Sequence, residues 1–477
     1  MTTFPEYESY DGLGLAALIR SGEVAAETVL EAAVERIEAR DPAVNAVVHK
    51  LYERGRATLA EGLPEGPFAG VPYLLKDLYS FLEGVPCGNG SRLFDGYVTP
   101  VTAPSIARSL ASGLVLLGKT ATAEFGLTVT TETKACGKTR NPWDLERSVG
   151  GSSGGAAAAV AAGMVPLAHA SDGGGSIRIP ASACGLYGLK PTRARNPSPE
   201  SWAGMATHHA VTRSVRDSAA LLDVTAGPVP GMPYETAAPE RPFLEQVGAD
   251  PGRLKIAVSW SHGPAEVAVA PDCRAAVESA AGLFESLGHD VEEAAPELDH
   301  EALSWAMIVI VTANMTATLD LGHPLRAGEA VSREDVEHMT WAIAEFGRQY
   351  AATDYLKAVE TVHAVGQTLG RFLARYDALL SPTTAAPTPP LGHLDPERPD
   401  LQELVADIIP YVAFTRPFNM SGQPAASLPL YWTEAGLPVG VQLATRFGDE
   451  ATLLRLSAQA EAARPWFDRR PPGLTGA

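Results

Sequence analysis

The sequence predicts an α/β protein, a β-sheet carrying helices on both faces. Short apolar segments with strand spacing alternate with segments of helical spacing along the whole chain, the pattern of layered α/β architectures. Between them lies a stretch dominated by Gly, Ala and Ser, residues 150–192, whose small side chains suit close packing at the centre of a molecule. A chain of 477 residues is long enough to bury a large core around it.

Residues 24–40 place Ala26, Leu30, Ala33, Val34 and Ile37 at three- and four-residue intervals, which predicts an amphipathic helix. Asp41-Pro42 should end it, because proline disfavours helix at the residue before it. Val44 to Val48 reads as a short strand. Val71 to Lys76 is apolar up to one charged residue, and such a lysine ordinarily marks an exposed strand end. Ser105 to Ser112 reads as helix, Leu114 to Leu117 as a buried strand, and Ala156 to Ala162 as an alanine-rich helix. Pro197 to Pro242 is rich in Pro and Gly and reads as loop. Leu254, Ile256 and Val258 then suggest a strand, and Cys273, Val277, Ala280, Phe284 and Leu287 a helix. Residues 301–376 read as largely helical, and 381–400 as a proline-rich loop. Asn419 to Leu443 reads as strands and turns, and Leu453, Leu456, Ala460 and Ala463 mark a final helix.

Composition excludes several functional classes. Hydrophobic residues make up 45% and charged residues 19%, the profile of a soluble globular protein. Lys and Arg number 37 against 56 Asp and Glu, so the formal charge is −19, the wrong sign for a nucleic-acid binder. Cys87, Cys136, Cys184 and Cys273 form no CxxC pair, which argues against a zinc site or disulfide framework and suits a reducing compartment. The N-terminus has no basic segment followed by an apolar core, and no run of about 18 uncharged apolar residues occurs, so neither a signal peptide nor a membrane span is expected. The expected location is the cytoplasm.

Gly173, Gly174 and Gly175 stand directly before Ser176. Without Cβ atoms they let main-chain N–H groups approach a ligand, as an oxyanion hole requires. A tight turn in a close-packed core is the commoner meaning of such glycines, but the length and composition of the stretch favour the chemical one. Gly113 to Thr120 has phosphate-loop spacing, yet Leu114 to Leu117 occupies the cradle positions and is itself the strand, so an NTPase is not expected. Gly150 to Gly154 satisfies GxSxG, the nucleophile elbow of α/β-hydrolases, but polar, turn-like residues precede it instead of an apolar strand. His169, His208, His209 and His262 among others leave no single histidine partner for it. The adjacent His208 and His209 point to a loop or pocket wall, not to a metal.

Several motifs together resemble the amidase signature family of serine hydrolases. They are Gly150-Gly151-Ser152-Ser153-Gly154-Gly155, Asp172, Gly174-Gly175-Ser176-Ile177-Arg178-Ile179-Pro180 and Gly188-Leu189-Lys190-Pro191-Thr192. Gly70-Val71-Pro72 with Lys76-Asp77, Gly118-Lys119-Thr120, Arg140-Asn141-Pro142-Trp143 and Asn419-Met420-Ser421-Gly422-Gln423-Pro424-Ala425 extend the match over most of the chain. The resemblance implies a large mixed central sheet of about eleven strands sandwiched by helices. It also implies one amidase domain over 1–477, with the signature core at 70–195 and a more variable, pocket-forming region at 195–400.

The same resemblance implies a Ser–cis-Ser–Lys triad that hydrolyses non-peptide C–N bonds through an acyl-enzyme. Ser176 would be the nucleophile, Ser152 the bridging serine after a cis peptide at Gly151, and Lys76 the base, provided burial keeps its amine neutral near pH 7. Gly173, Gly174 and Gly175 would supply the oxyanion donors. Many relatives carry a larger residue at the position of Gly173, which implies a wider or more flexible hole here. Asp172, Arg178 and Ser153 would hold this loop by hydrogen bonds from behind. No cofactor and no metal are implied.

Within the family the similarity is greatest to members that open nylon-related amides. The expected partner is therefore a small-molecule amide or carbamate, with anilides and esters presenting the same carbonyl. No nucleic acid or membrane is expected as a partner, and a homodimer is compatible with the sequence. Trp202, Met205, Trp305, Met307, Ile308, Ile310 and Met315 are the pocket-lining candidates, and the loops at 196–215 and 300–350 would shape the pocket. An amidotransferase subunit acting on charged tRNA is the alternative within the family, disfavoured by the acidity of the chain. A catalytically dead scaffold is disfavoured because Lys76, Ser152 and Ser176 are all present.

Overall fold

The computed structural model describes residues 4–197, 202–260 and 267–473; residues 198–201 of the expected pocket loop, and His262, lie outside them. An eleven-stranded sheet runs through the molecule. From one edge its strands are Val47–Lys50, Val115–Thr120, Pro72–Lys76, Leu167–Asp172, Thr207–Thr212, Tyr187–Lys190, Ala425–Trp432, Pro438–Thr445, Ala378–Pro382, Lys255–Val258 and Asp290–Glu293. The sheet is mixed. Pro72–Lys76 is parallel to both its neighbours, as is Lys255–Val258, whereas Leu167–Asp172 pairs antiparallel with Thr207–Thr212 over all six residues. The expected α/β architecture, with about eleven strands between helices, is the one found.

At the centre, all eight residues of the helix Gly154–Ala161 are buried. The reason for small residues is steric: a Cβ on Gly155 would collide with the backbone of Ala121 and Ala46. The strands Pro72–Lys76, Val115–Thr120 and Leu167–Asp172 are wholly buried, their polar side chains included, as central strands covered on both faces are.

Three segments depart from the sequence reading. The first long helix spans Ala26–Val44 and so runs past Pro42, which falls in its last turn. Its end is set instead by Asn45 in the left-handed region (φ 55°), whose N–H donates to the Asp41 carbonyl at 2.7 Å, while the Asp41 carboxylate accepts Ala46 and Val47 N–H at 2.7 and 3.0 Å. The supposed loop at 197–242 contains a sheet strand, Thr207–Thr212, and a helix, Val215–Thr225. The strand was hidden by its polar residues, and the helix begins at Ser214, whose hydroxyl accepts the Asp217 N–H. The strand Val115–Thr120 runs straight through Gly118 and Lys119, with the Lys119 ammonium 2.9 Å from the Asp77 carboxylate, so no phosphate loop forms there.

The helix His300–Asp320 is long and apolar enough to match a membrane span by length and composition, which the charge-free run length did not signal. It packs against the helices His338–Gly347 and Ala352–Leu373, and Leu303, Ala306, Met307, Val309 and Ile310 are buried there. Cys87, Cys136, Cys184 and Cys273 are all free thiols.

Candidate active site

Lys76 closes the strand Pro72–Lys76 with no solvent exposure at all, so the exposed-strand-end reading fails. Its Nζ donates to Ser152 Oγ at 2.8 Å and to Ser171 Oγ at 3.0 Å. Burial is the main influence on this amine and lowers its pKa to about 7, against a smaller upward pull from the Asp172 carboxylate. An amine so placed is available as a base near neutrality. Ser152 sits between the ribbon strand Asp144–Ser148 and the helix Gly154–Ala161, and the Gly151–Ser152 peptide is cis. That ribbon pairs with Arg140–Asn141 and bridges Arg147 to Pro390, outside the central sheet, so the GxSxG serine does not crown a sheet strand as a nucleophile elbow does.

Ser152 and Ser176 line one cavity of about 390 Å³, together with Leu78, Tyr79, Phe125, Gly126, Ser171, Gly173, Trp202, Ala206 and His208. Among the described residues no hydrogen bond joins the hydroxyls of Ser152 and Ser176. Catalytic hydrogen bonds of this kind commonly close only around substrate.

Behind the loop 173–175 lies a fully buried ion pair. Asp172 accepts Arg178 Nε and Nη2, each at 2.9 Å, and Asn419 Nδ2 at 2.8 Å. Burial alone would raise the Asp172 pKa, but the Arg178 guanidinium overrides it and holds the carboxyl well below the usual range. Arg178 reaches on to Gln442 at 2.7 Å and to the Thr415 carbonyl at 3.0 Å. Asp172 also accepts the Gly175 N–H at 2.7 Å and the Ile177 N–H at 3.2 Å. The Gly175 N–H, expected among the oxyanion donors, is therefore already engaged by this carboxylate. Gly175 serves conformation instead, at φ +134° with its Cα against Thr415, whose Oγ1 would lie 2.5 Å from a Cβ. Ser153 Oγ donates to the Ser171 carbonyl at 3.1 Å and accepts the Ser171 N–H, tying the serine loop to the strand and pointing no hydroxyl at the cavity.

The matched family model is Amidase, over residues 28–454. The chain belongs to the amidase signature family. It is 40% identical to the 6-aminohexanoate-cyclic-dimer hydrolase of Pseudomonas sp. (strain NK87), covering 97% of this chain and 96% of that one, and equally identical to the enzyme of that name from Paenarthrobacter ureafaciens. A solved structure of 6-aminohexanoate cyclic dimer hydrolase superposes with a TM-score of 0.92 at 38% identity, covering 98% of this chain and 99% of that one. The chain is an amidase, a hydrolase of carbon–nitrogen bonds.

The amidase's cavity differs from the expected one. Of the apolar candidates, Trp202 lines it. Met205, Met307 and Ile310 are buried in a hydrophobic cluster against which Trp202 and Trp305 pack, Met315 is buried in the cluster that holds Phe125, and Ile308 is 39% exposed. They pack behind the residues that line the cavity and do not line it themselves. The walls come mostly from 78–176, and from 195–400 only Trp202, Ala206 and His208 contribute among the described residues. Nor does Gly173 leave the hole wide: a Cβ there would stand 2.9 Å from the Trp202 ring, so the indole fills that space. Sequence reasoning missed Ser171, Tyr79 and Phe125. Only Ser171 left a trace, standing beside Asp172 within the small-residue stretch 150–192.

Proposed function

We propose that this amidase cleaves small aliphatic amides, linear or cyclic, by acyl transfer to Ser176. Neutral Lys76 takes the Ser152 proton while Ser152 takes that of Ser176, whose Oγ bonds to the acyl carbon. The carbonyl electrons move to oxygen, where the Gly173 and Gly174 N–H groups meet the negative charge. The C–N bond then breaks as the proton returns through Ser152 to the departing amine, and water releases the acid by the same route reversed. The observation that carries this reading is the buried Lys76 amine, lowered to about 7 and bonded to Ser152 in the cavity that holds Ser176. The names of its relatives support a nylon-type amide as substrate, and the walls of Leu78, Phe125 and Trp202 suit an aliphatic chain. Anilides, carbamates and activated esters offer the same carbonyl and are secondary substrates. Free cysteines suit a reducing compartment, where we place the enzyme.

The test is a panel of aliphatic amides, anilides, carbamates and p-nitrophenyl esters assayed on the wild type and Ser176→Ala. The wild type turns over amides, and the variant loses at least about 10³-fold in kcat/KM. Normal turnover by Ser176→Ala overturns the reading and favours Ser152 as nucleophile.

A further inference from the structure

Beside the Lys76–Ser152 pair the cavity wall carries one member of a second polar pair that the reaction does not use. His169 and His208 stand on the neighbouring antiparallel strands Leu167–Asp172 and Thr207–Thr212, where His208 is registered opposite Ser171. His169 Nε2 lies 3.1 Å from His208 Nδ1. Burial holds both imidazoles neutral, His208 at about 4 and His169 well below its ordinary value, with nearby positive charge adding to the effect.

Two neutral imidazoles in contact share one hydrogen bond, so one ring donates and the other accepts. If His208 donated from Nδ1, His169 would carry its proton on Nδ1, which is buried and has no partner. That arrangement strands a buried N–H, the costlier orphan, since unpartnered buried donors are rarer than under-used acceptors. The reverse arrangement strands only a lone pair. His169 therefore donates from Nε2, and the proton of His208 sits on Nε2. The His208 ring lines the cavity beside Ser152, Ser171 and Ser176, and its Nε2 is not bonded within the described chain.

We propose that His208, oriented by His169, is a specificity-determining hydrogen-bond donor that receives a second oxygen acceptor of the substrate. The favoured substrates are amides with a further carbonyl beyond the scissile one, such as diamides, in preference to simple monoamides. This deepens the acyl-transfer reading and rests on it. His169 acts only by fixing the tautomer and orientation of its neighbour.

Two length-matched probe pairs test it. One compares 6-acetamidohexanoyl p-nitroanilide with nonanoyl p-nitroanilide, placing the extra carbonyl on the acyl side. The other compares N-(4-acetamidobutyl)hexanamide with N-heptylhexanamide, placing it on the amine side. The readout is the ratio of kcat/KM within each pair. His208→Leu should lower that ratio by about 10–100-fold for at least one pair, the scale of a lost buried hydrogen bond. His208→Gln, which keeps an N–H, should recover part of it. An unchanged ratio in both pairs overturns the proposal. Independently of turnover, ¹⁵N spectra of the histidine-labelled wild type should show Nε2-protonated neutral rings for both residues, and Nδ1 protonation of His208 overturns it equally. Ser176→Ala separates the two readings: persistent turnover there removes the acyl-transfer mechanism, while the ratio and the tautomer still decide the role of His208.

Discussion

Lys76 and Ser152 are 76 positions apart in sequence, yet the lysine Nζ donates to the serine Oγ at 2.8 Å inside the core. The pair forms because one residue ends a central strand and the other begins the turn into the central helix, and small residues let the two backbones meet. A cation would be costly in this place, so the amine is poised to be neutral.

The first prediction follows from that poise. kcat/KM should rise with pH through about 7 and then level off, because acid protonates Lys76 and removes the base. Lys76→Ala should cost about 10³-fold or more in kcat and abolish this limb in the pH–rate profile. The folded pKa lies below 10.5, so between about 7 and 10.5 the unfolded chain binds the extra proton and stability rises with pH. Lys76→Met should flatten that rise in Tm.

Ser171 gives a second prediction. Its hydroxyl is the other acceptor of the Lys76 amine, at 3.0 Å. Removing an acceptor disfavours the ammonium, so Ser171→Ala should move the midpoint of the pH–rate profile below that of the wild type and lower kcat/KM by about 5- to 10-fold. An unmoved midpoint would mean that Ser171 only fills space.

A third concerns the buried pair of Asp172 and Arg178. Arg178→Met leaves the carboxylate buried without its cation and should lower stability by about 3–5 kcal/mol in denaturant titrations. In the wild type, the stability gained from Asp172 is present above its ordinary pKa of 3.8 and is lost as pH falls below it, because the folded-state value is depressed.

A fourth separates cavity from core. Met307→Ala and Ile310→Ala should each cost about 2–5 kcal/mol of stability and leave substrate preference alone, since both side chains pack between helices. Trp202→Ala should instead raise KM several-fold for long-chain amides, with a smaller change in Tm. Gly173→Ala should act in the same direction as Trp202→Ala, because the new methyl displaces that indole.

How legible this was depended on locality. Lys76, Ser152, Ser176 and the Asp172–Arg178 pair sit in short motifs whose residue types betray them, and the layered sheet was visible in alternating strand and helix periods. The strand Thr207–Thr212 escaped because its sequence is polar: it is held by pairing with Leu167–Asp172, a partner that no local pattern names. Pocket and core could not be told apart at Met307 and Ile310, because an apolar side chain carries no sign of whether helices or substrate will cover it. The engagement of the Gly175 N–H by Asp172 was likewise invisible, being a matter of which way a carboxylate turns.

Thr415 and Asn419 lie more than 240 residues beyond the loop they brace, the former through the Gly174 carbonyl at 2.6 Å and the latter through Asp172. On the ribosome Ser176 is thus made long before the parts that shape its surroundings. A chain released ahead of position 415 would carry Lys76, Ser152 and Ser176 yet lack both braces, so the loop is held only once the C-terminal end of the polypeptide has folded home.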